Sequence, residues 1–301
     1  MNLLALLFGL FTERFLTHLF HLREARWLDG FFDLGLRQIG RGRGFGAALV
    51  ALLIVLVPVL PVLALQWFAR DVLYSVPYFL FSVVVLMFSL GPRDLEEEVD
   101  EFEAAITADD RERAGNIAKE LLESDPPRGG MQRQLAIEEA IFVQSNNRLF
   151  GVVLWFMLLG PAGAWAFRVS DMFRRRAIFE SARLEENQQD PAISSHAAQQ
   201  VHGMVAWLPA RLVALAFALA GSFETAVQDW RSYYNNCADH FFEVNDDVVA
   251  CAGLGALGGA VTEDEGAPEA LAARSAMRLV SRALWVWLTA IAALTVVGLA
   301  V

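Results

Sequence analysis

Long stretches without a charged residue constrain this chain more than any other feature. Between Arg148 and Arg168, residues 149–167 form a run of 19 uncharged, mostly apolar residues, which is long enough to cross a bilayer core as a helix. Other apolar runs of comparable length cover residues 45–68, 74–90 and 280–301. Hydrophobic residues make up 55% of the chain and occur in blocks, without the periodic stripes of soluble domains. The sequence therefore predicts an all-α, polytopic membrane protein with four or five transmembrane helices plus amphipathic and cytoplasmic helices.

The number of spans depends on residues 203–221, an apolar run that contains Pro209 and Arg211. An arginine inside such a run usually faces a bundle interior or a water-filled cavity, and the alternative is a half-inserted helix with Arg211 at the interface. With four spans, the arginines at 174–176 and at 274–282 both lie outside, against the positive-inside rule. A fifth span over residues 203–221 returns the second group to the cytoplasm, so we favour five spans.

The central run has polar ends and a break in its middle. Asn147 and Arg148 precede it, Arg168 follows it, and Gly160-Pro161-Ala162-Gly163 interrupts it, so a helix is expected to start afresh there. Arginine side chains and fresh helix N-termini both bind anions. On a straight helix Arg148 and Arg168 are about 30 Å apart, so they share a small ligand only if the helix folds back or the protein forms a homo-oligomer. Arg211 is the better candidate to approach Asn147 or Arg168 in a central pocket.

Acidic helices are predicted between the second and third apolar runs. Residues 94–105 hold seven acidic residues and no basic residue, and their apolar residues are spaced for one face of a helix. Thr107 followed by Asp110 resembles a capping box that begins a second helix, which extends through Leu122. We expect a solvated acidic face, and the alternative is a site for a cytoplasmic partner or a cation.

These features divide the chain into segments of different character. The segments are an N-terminal amphipathic or interfacial helix with a basic approach (1–44), a transmembrane hairpin (45–90), acidic cytoplasmic helices (91–146), a central membrane core (147–221), polar helices with a loop (222–279) and a C-terminal transmembrane helix (280–301).

Composition argues against several functional classes. The net charge of −11 gives no indication of nucleic-acid binding. Cys237 and Cys251 are too few for a disulfide framework and are expected to be free thiols. His18 and His21 would share a helix face, but zinc normally has three or four protein ligands, so an interfacial polar pair is expected. Residues 253–258 match G-x-G-x-x-G without the acid that a dinucleotide site needs, which predicts small-residue helix packing. We expect no metal and no cofactor.

Two groups of residues carry a resemblance to a known family. The first comprises Asn147-Arg148-x-Phe150-Gly151, Leu154-Trp155-Phe156, Leu159-Gly160-Pro161-x-Gly163-Ala164 and Phe167-Arg168, and the second is Trp207-Leu208-Pro209-Ala210-Arg211-Leu212. Together with the order of hairpin and acidic helices, they resemble the AmpE family of bacterial inner-membrane proteins over nearly the whole chain. That family belongs to a superfamily with the cobalamin-biosynthesis enzyme CobD/CbiB, adenosylcobinamide-phosphate synthase.

The resemblance implies a multi-pass protein of the bacterial inner membrane, associated with β-lactamase induction and antibiotic resistance, beside peptidoglycan-recycling proteins. In the enzyme branch, which joins an amino alcohol to a corrinoid carboxylate, the motifs hold acids suited to Mg²⁺ or to carboxyl activation. This chain departs from them at three places: it has Ser145-Asn146-Asn147 with Phe150-Gly151, Val169-Ser170-Asp171-Met172 and His202-Gly203. The resemblance therefore implies a retained pocket without the synthase chemistry.

Three functional hypotheses follow. The first is a membrane signalling protein that binds an anionic small molecule or muropeptide-type ligand through Asn147, Arg148, Arg168 and Arg211, with membrane lipid around it. The second is a membrane enzyme, a ligase or hydrolase acting on a cell-wall or lipid-linked substrate, for which the candidate acids are Glu138, Glu139 and Glu224. Glu138 and Glu139 are more simply explained as a solvated interface. The third is a scaffold whose acidic helices recruit a cytoplasmic partner.

Overall fold

The computed structural model describes residues 2–16, 26–39, 45–71, 76–91, 94–186, 192–236, 244–258 and 268–296, and this part of the chain contains helices and no strand. The helices are α1 (Asn2–Leu16), α2 (Asp29–Ile39), α3 (Phe45–Asp71), α4 (Val76–Ser89), α5 (Leu95–Thr107), α6 (Arg111–Leu122), α7 (Gly130–Ser145), α8 (Gly151–Leu159), α9 (Pro161–Glu186), α10 (Ala192–Ala220), α11 (Phe223–Asn236), α12 (Asn245–Leu257) and α13 (Pro268–Val296). The predicted all-α class is confirmed. His18, His21, Cys237 and the two arginines at 41 and 43 of the basic approach lie outside the described residues.

Within the described residues, four helical segments are long and apolar enough to cross a membrane: Gly46–Ala69, Gly130–Leu159, Ser194–Ala220 and Pro268–Thr295. Helix α4 is apolar but shorter. The predicted runs 45–68 and 203–221 lie within these segments except for Phe45 and Gly221, whereas the last segment begins at Pro268 and not at residue 280. Large apolar side chains of α3 are exposed, among them Leu49, Leu53 and Leu60, as expected for a helix surrounded by lipid.

The expected single span over residues 149–167 is wrong, because the helix ends inside it. Gly160 has a φ of +75°, which glycine adopts without strain, and α9 starts afresh at Pro161 as predicted for the break. Gln66 of α3 satisfies both exposed helix ends: its Nε2 donates to the Leu159 carbonyl oxygen at 3.0 Å, and its Oε1 accepts from the Ala162 N–H at 2.8 Å. The long apolar segment that ends at Leu159 instead begins at Gly130, and it contains a π-helical turn at Asn146–Phe150.

The described helices form two compact units. The first comprises Met1–Pro92, Gly151–Trp207 and Thr295–Val301. In it α9 packs against α3, α4 and α8, and α1 packs against α4. Buried apolar residues of α2, α3 and α9 form its core, where the Phe32 and Phe173 rings lie 5.4 Å apart. The core is closed at the α2 side by Arg176, whose Nε and Nη2 donate to the Asp33 carboxylate at 2.7 and 2.8 Å.

The second unit comprises Arg93–Phe150 and Leu208–Leu294. Helix α7 packs against α5, α6 and α12, and α11 packs against α12. The predicted packing role of the G-x-G-x-x-G segment is confirmed, since Gly253 and Gly255 lie in α12 where a Cβ would overlap the Phe142 ring and approach the Ala226 Cα to 2.8 Å. Close approach of helices, and not nucleotide binding, explains these glycines.

The two acidic helices lie close to their predicted positions, at Leu95–Thr107 and Arg111–Leu122, but the predicted capping box is wrong. Thr107 ends α5, and its hydroxyl donates to the Glu103 carbonyl oxygen at 2.8 Å. The N-cap of α6 is Asp110, whose carboxylate accepts from the Arg113 N–H at 3.1 Å. A carboxylate at this position also complements the helix dipole, so no side chain three residues earlier is required.

Candidate functional site

The Asn147-Arg148 motif lies in a π-helical turn. Helix α7 ends at Ser145, and Asn146–Phe150 then widen the helix by a π turn before α8 begins. The Ser145 hydroxyl donates to the Phe142 carbonyl oxygen at 2.7 Å, where it competes with the backbone N–H groups of the turn. Such turns redirect side chains within an otherwise regular helix and occur frequently at functional sites. Asn146, Asn147 and Arg148 are thereby all turned inward and buried.

Arg148 forms a buried ion pair with Glu98 of α5. Its Nη1 donates to both carboxylate oxygens of Glu98, at 2.9 and 2.8 Å, and the side chains are only 8% and 6% exposed. Its Nε donates to Gln144 Oε1 at 3.0 Å, while Gln144 Nε2 donates to the Leu121 carbonyl oxygen and to Glu123 Oε1. Arg148 therefore joins the acidic helices to the apolar helix α7.

The amides of Asn146 and Asn147 leave two polar atoms without a partner. Asn146 Nδ2 donates to Asn147 Oδ1 at 3.1 Å, and both residues are 0% exposed. Asn147 Nδ2 and Asn146 Oδ1 have no hydrogen-bond partner among the residues that the structure describes. Rotating both amides by half a turn exchanges their roles and again leaves one donor and one acceptor unpaired. Because buried polar groups are almost always satisfied, these two atoms have unused hydrogen-bonding capacity for a polar partner from outside the chain.

Arg168 belongs to the first unit, where it and two other arginines of α9 contact one buried carboxylate of the same helix. Asp171, 0% exposed, accepts from Arg168 Nη1 at 3.1 Å, Arg174 Nη2 at 3.0 Å and Arg175 Nε at 2.9 Å. Burial alone would raise the pKa of Asp171, but the positive charges of Arg175, Arg174 and Arg168 hold this pKa well below its ordinary value. Arg168 is therefore part of a charge cluster that holds α9 together.

A serine and a histidine lie beside this cluster in the first unit. Ser170 Oγ is 3.1 Å from His202 Nδ1, and the His202 ring packs at 5.4 Å from the Phe167 ring. Glycine is required at position 91, where φ is +104° and the backbone passes close to the Arg168 guanidinium. These contacts pack His202 of α10 against α9, the helix that carries Asp171.

Arg211 belongs to the second unit. It follows Pro209 within α10, and its Nη1 donates to Asn245 Oδ1 at the start of α12. Asn147, Arg148 and Arg211 therefore share a unit, each with its own described neighbours, and Arg168 contacts a separate set of residues in the other unit. The binding role of these four residues stays a prediction.

The candidate acids of the enzyme hypothesis differ in their surroundings. Glu138 is 6% exposed, so its expected place at a solvated interface is wrong, whereas Glu139 is exposed as expected. Glu224 is also exposed. Among the residues that the structure describes, no group of three or more His, Cys, Asp or Glu side chains is arranged to hold a metal ion.

Two carboxylates that pair with arginines, Glu98 and Asp171, were not predicted, although the sequence indicated both. Glu98 falls among the buried residues of α5, between Leu95 and Val99, so it lies on the apolar face of that helix. Asp171 has arginines three residues before it and three and four residues after it, which is the spacing of helix neighbours. Gln144 has the same kind of signal, since it lies four residues before Arg148, whereas Asn245 had none, because Arg211 is 34 residues away along the chain.

The helical fold, the four apolar segments and the buried polar cluster inside one of them define a helical membrane protein. The chain belongs to the AmpE family, since the family described as "Regulatory signalling modulator protein AmpE" matches residues 1–301. It is also similar to the cobalamin biosynthesis protein CobD of Chromobacterium violaceum, with 28% identity over 276 residues, or 84% of this chain and 80% of that protein. The CobD of Stutzerimonas stutzeri is 27% identical over 203 residues, or 66% of this chain and 62% of that protein. No solved structure matches the chain.

Proposed function

We propose that this protein is a regulatory protein of the bacterial inner membrane that contributes to β-lactamase induction and peptidoglycan recycling by binding an anionic, muropeptide-type ligand. Membership of the AmpE family supports the regulatory role. The observation that carries the ligand site is the buried amide pair of Asn146 and Asn147, which lacks one donor and one acceptor partner within the described residues. A ligand that supplies a carboxylate and a hydroxyl or amide N–H group would complete both.

The neighbouring ion pair gives a reason for the ligand to be anionic and for its binding to change the protein. Arg148 already holds a carboxylate, that of Glu98, in a nearly dry environment. A ligand carboxylate that accepts from Asn147 and from Arg148 would replace Glu98, and the arginine would stay paired throughout. Glu98 would then be released together with its helix α5, so ligand binding would be transmitted to the acidic helices. These helices are the surface at which we propose that a cytoplasmic partner reads the signal.

The two other predicted arginines have secondary places in this proposal. Arg211 already donates to Asn245, in the same unit as the amide pair, so a larger ligand extending along α10 would have to add to or replace this contact. Arg168 is engaged by Asp171, so its contribution would be to keep α9 folded.

A membrane enzyme is the second candidate, because the similar proteins are named for cobalamin biosynthesis and because Glu138 is a buried acid on α7. The chemistry of the motif argues against it. The turn that carries Asn147 contributes amides and an arginine. The carboxylate that contacts this turn is that of Glu98 in α5, and Arg148 neutralises it. Amides and arginines bind and orient a carboxylate but do not transfer a proton at neutral pH.

A binding experiment with the full-length protein in lipid nanodiscs tests the proposal. The probe is a purified muropeptide, with the same muropeptide amidated at its carboxylates as the uncharged comparison. Asn147→Ala removes the unpaired donor and should weaken binding by about ten- to a hundredfold, the value of one hydrogen bond to a charged group. Asn116→Ala, which removes an exposed amide from α6, is the matched control and should bind like the wild type.

The same samples separate the two candidate functions. Saturable binding of the charged muropeptide without a change in its mass supports a binding protein. A product that forms in the wild type but not in Glu138→Gln would overturn this proposal in favour of an enzyme. Equal binding of the charged and amidated probes, or no loss in Asn147→Ala, would also refute the proposed site.

A cellular experiment tests the regulatory half separately. In a host that lacks its own family member, Asn147→Ala should be present in the membrane at the wild-type level and fail to restore β-lactamase induction. Restoration by Asn147→Ala and by the wild type alike would contradict the proposal.

A further inference from the structure

An open cleft of about 1060 Å³ lies in the second unit, apart from the residues described above. One wall is α13, which contributes three arginines, and the opposite wall is α5. The floor is made by the turn between α10 and α11 together with the last residues of α12. The volume suits a ligand of drug or headgroup size.

The arginines of α13 form a regular row along the cleft. Arg274, Arg278 and Arg282 are spaced by four residues, so they lie on one face of the helix, about 6 Å apart from one to the next. All three side chains are exposed. Arg274 Nη1 donates to Glu103 Oε1 at 2.8 Å, whereas neither Arg278 nor Arg282 has an ion-pair partner within the described ranges of the chain. Two guanidinium groups with their full donor capacity therefore face the cleft.

The remaining lining supplies neutral donors and a firm floor. The side chains of Ser222, Ser275 and Ser281 line the same cleft. The floor is fixed by two hydrogen bonds, from the Ser222 N–H to the Ala256 carbonyl oxygen at 2.8 Å and from the Thr225 hydroxyl to the Gly255 carbonyl oxygen at 2.6 Å. Hydroxyl and guanidinium donors around a firm concave surface are the usual components of a phosphate site.

Two carboxylates, Glu96 and Asp100 of α5, also line the cleft. The lining therefore holds three arginines and two carboxylates, and Arg274 is already paired with Glu103. Acidic groups in the opposite wall favour a ligand that has an amine or hydroxyl groups in addition to its phosphate.

The sequence of α13 places the row at the level of lipid headgroups. The charged residues of α13 all lie between Glu269 and Arg282, and from Ala283 to Val296 the helix has no charged residue. Trp285 is 71% exposed directly after the row, at the position where tryptophan anchors a helix at the membrane interface. A segment that crosses the membrane with this pattern holds its arginines where phosphates are concentrated.

We infer that this cleft is a phosphate-binding site at the membrane interface, in which Arg278 and Arg282 bind the phosphate and Ser222, Ser275 and Ser281 donate to the ligand's other oxygens. The phosphate comes either from the headgroup of an anionic phospholipid or from a soluble phosphate compound. This site is separate from the amide pair of the proposed function, so either of the two can fail without the other.

Two probes distinguish the sources of the phosphate. Native mass spectrometry of the full-length protein, released from nanodiscs of phosphatidylcholine with and without phosphatidylglycerol, measures retained lipid. Titration with inorganic pyrophosphate in phosphatidylcholine nanodiscs measures soluble phosphate binding. Retained phosphatidylglycerol supports a headgroup site, and saturable pyrophosphate binding supports a soluble ligand.

Matched double variants show whether the arginine row is responsible. Arg278→Gln with Arg282→Gln should reduce binding of the successful probe at least tenfold, because each lost charge-assisted contact costs about a factor of ten. The two lysine substitutions at these positions should retain most of the binding, which separates a charge effect from misfolding. Arg111→Gln with Arg231→Gln changes the net charge equally at exposed positions outside the cleft and should bind like the wild type. No binding of either probe, or equal binding by the glutamine variant of the row and the wild type, overturns the inference.

Discussion

Replacing only one partner of the ion pair between Arg148 and Glu98 should lower the free energy of unfolding much more than replacing both partners does. Arg148→Met removes three hydrogen bonds of 2.8–3.0 Å and leaves the Glu98 carboxylate buried without its cation. Glu98→Met leaves the guanidinium in the same condition. Breaking a buried pair from one side costs about 3–5 kcal/mol, because the remaining charge keeps its desolvation penalty.

The double variant should recover most of that loss. With methionine at both positions no charge is buried, the volume is nearly kept, and replacement of such a pair by apolar residues is often neutral. Two single losses would sum to about 6–10 kcal/mol. The double variant should lose less than about 3 kcal/mol, much of it from Gln144, which loses the donor that Arg148 supplies. The coupling energy between the two positions is then at least about 3 kcal/mol.

Reversible unfolding in mixed micelles, with an increasing fraction of denaturing detergent, measures the four free energies of unfolding that this cycle needs. The pair Arg113 and Glu101, whose side chains are 58% and 37% exposed at 3.7 Å, is the internal comparison and should show a coupling below about 1 kcal/mol. A coupling of that small size between Arg148 and Glu98 would show that the structure assigns the wrong partner to Arg148. The proposed exchange of Glu98 for a ligand carboxylate would fail with it.

Three further predictions concern the first unit. Gly163→Ala places a Cβ against the Trp155 carbonyl oxygen, which cannot move aside as a side chain can, so the free energy of unfolding should fall by about 1–3 kcal/mol in the same assay. Asp171→Asn removes the one carboxylate shared by three arginines and should cost about 3–5 kcal/mol, visible as loss of monodisperse protein on size exclusion; a wild-type elution profile would contradict the charge cluster. The Arg176 hydrogen bonds lower the pKa of Asp33, so this pair stabilises the fold above the ordinary aspartate pKa of about 4. Its contribution is lost as the pH falls through the lowered pKa, so thermal unfolding of Asp33→Asn should depend less on pH in that acidic range than unfolding of the wild type. The difference in free energy of unfolding should stay below about 1 kcal/mol, because the pair is partly exposed.

Much of the architecture could be predicted from local sequence. Charge-free runs longer than a bilayer core have few alternatives to a helix, because lipid leaves no other partner for the backbone N–H and C=O groups. The break at Gly160-Pro161 was predictable for the same local reason, since it combines a residue suited to positive φ with one that lacks an N–H. Residues 149–167 nevertheless do not form one span, because the break ends the helix and the apolar segment extends towards α7 instead.

The partners of the polar residues could not be predicted in the same way. Gln66 caps the break from a distance of 93 residues along the chain, and Glu98 is 50 residues from Arg148. Both contacts depend on which helices pack together, which no periodicity in either segment encodes. Only the position of Glu98 on the apolar face of α5 indicated that it would be buried.

The sequence by itself determined the helical membrane class and the family, and it predicted a role for the Asn147-Arg148 motif. Only the tertiary structure decided how the charges are used: Arg148 and Arg168, which look like free anion ligands in the sequence, each hold a buried carboxylate. Beside Arg148, the polar atoms that have no partner among the described residues are Asn146 Oδ1 and Asn147 Nδ2. The physical reason is desolvation, since a charge that a packed interior removes from water must find its counter-charge within the fold.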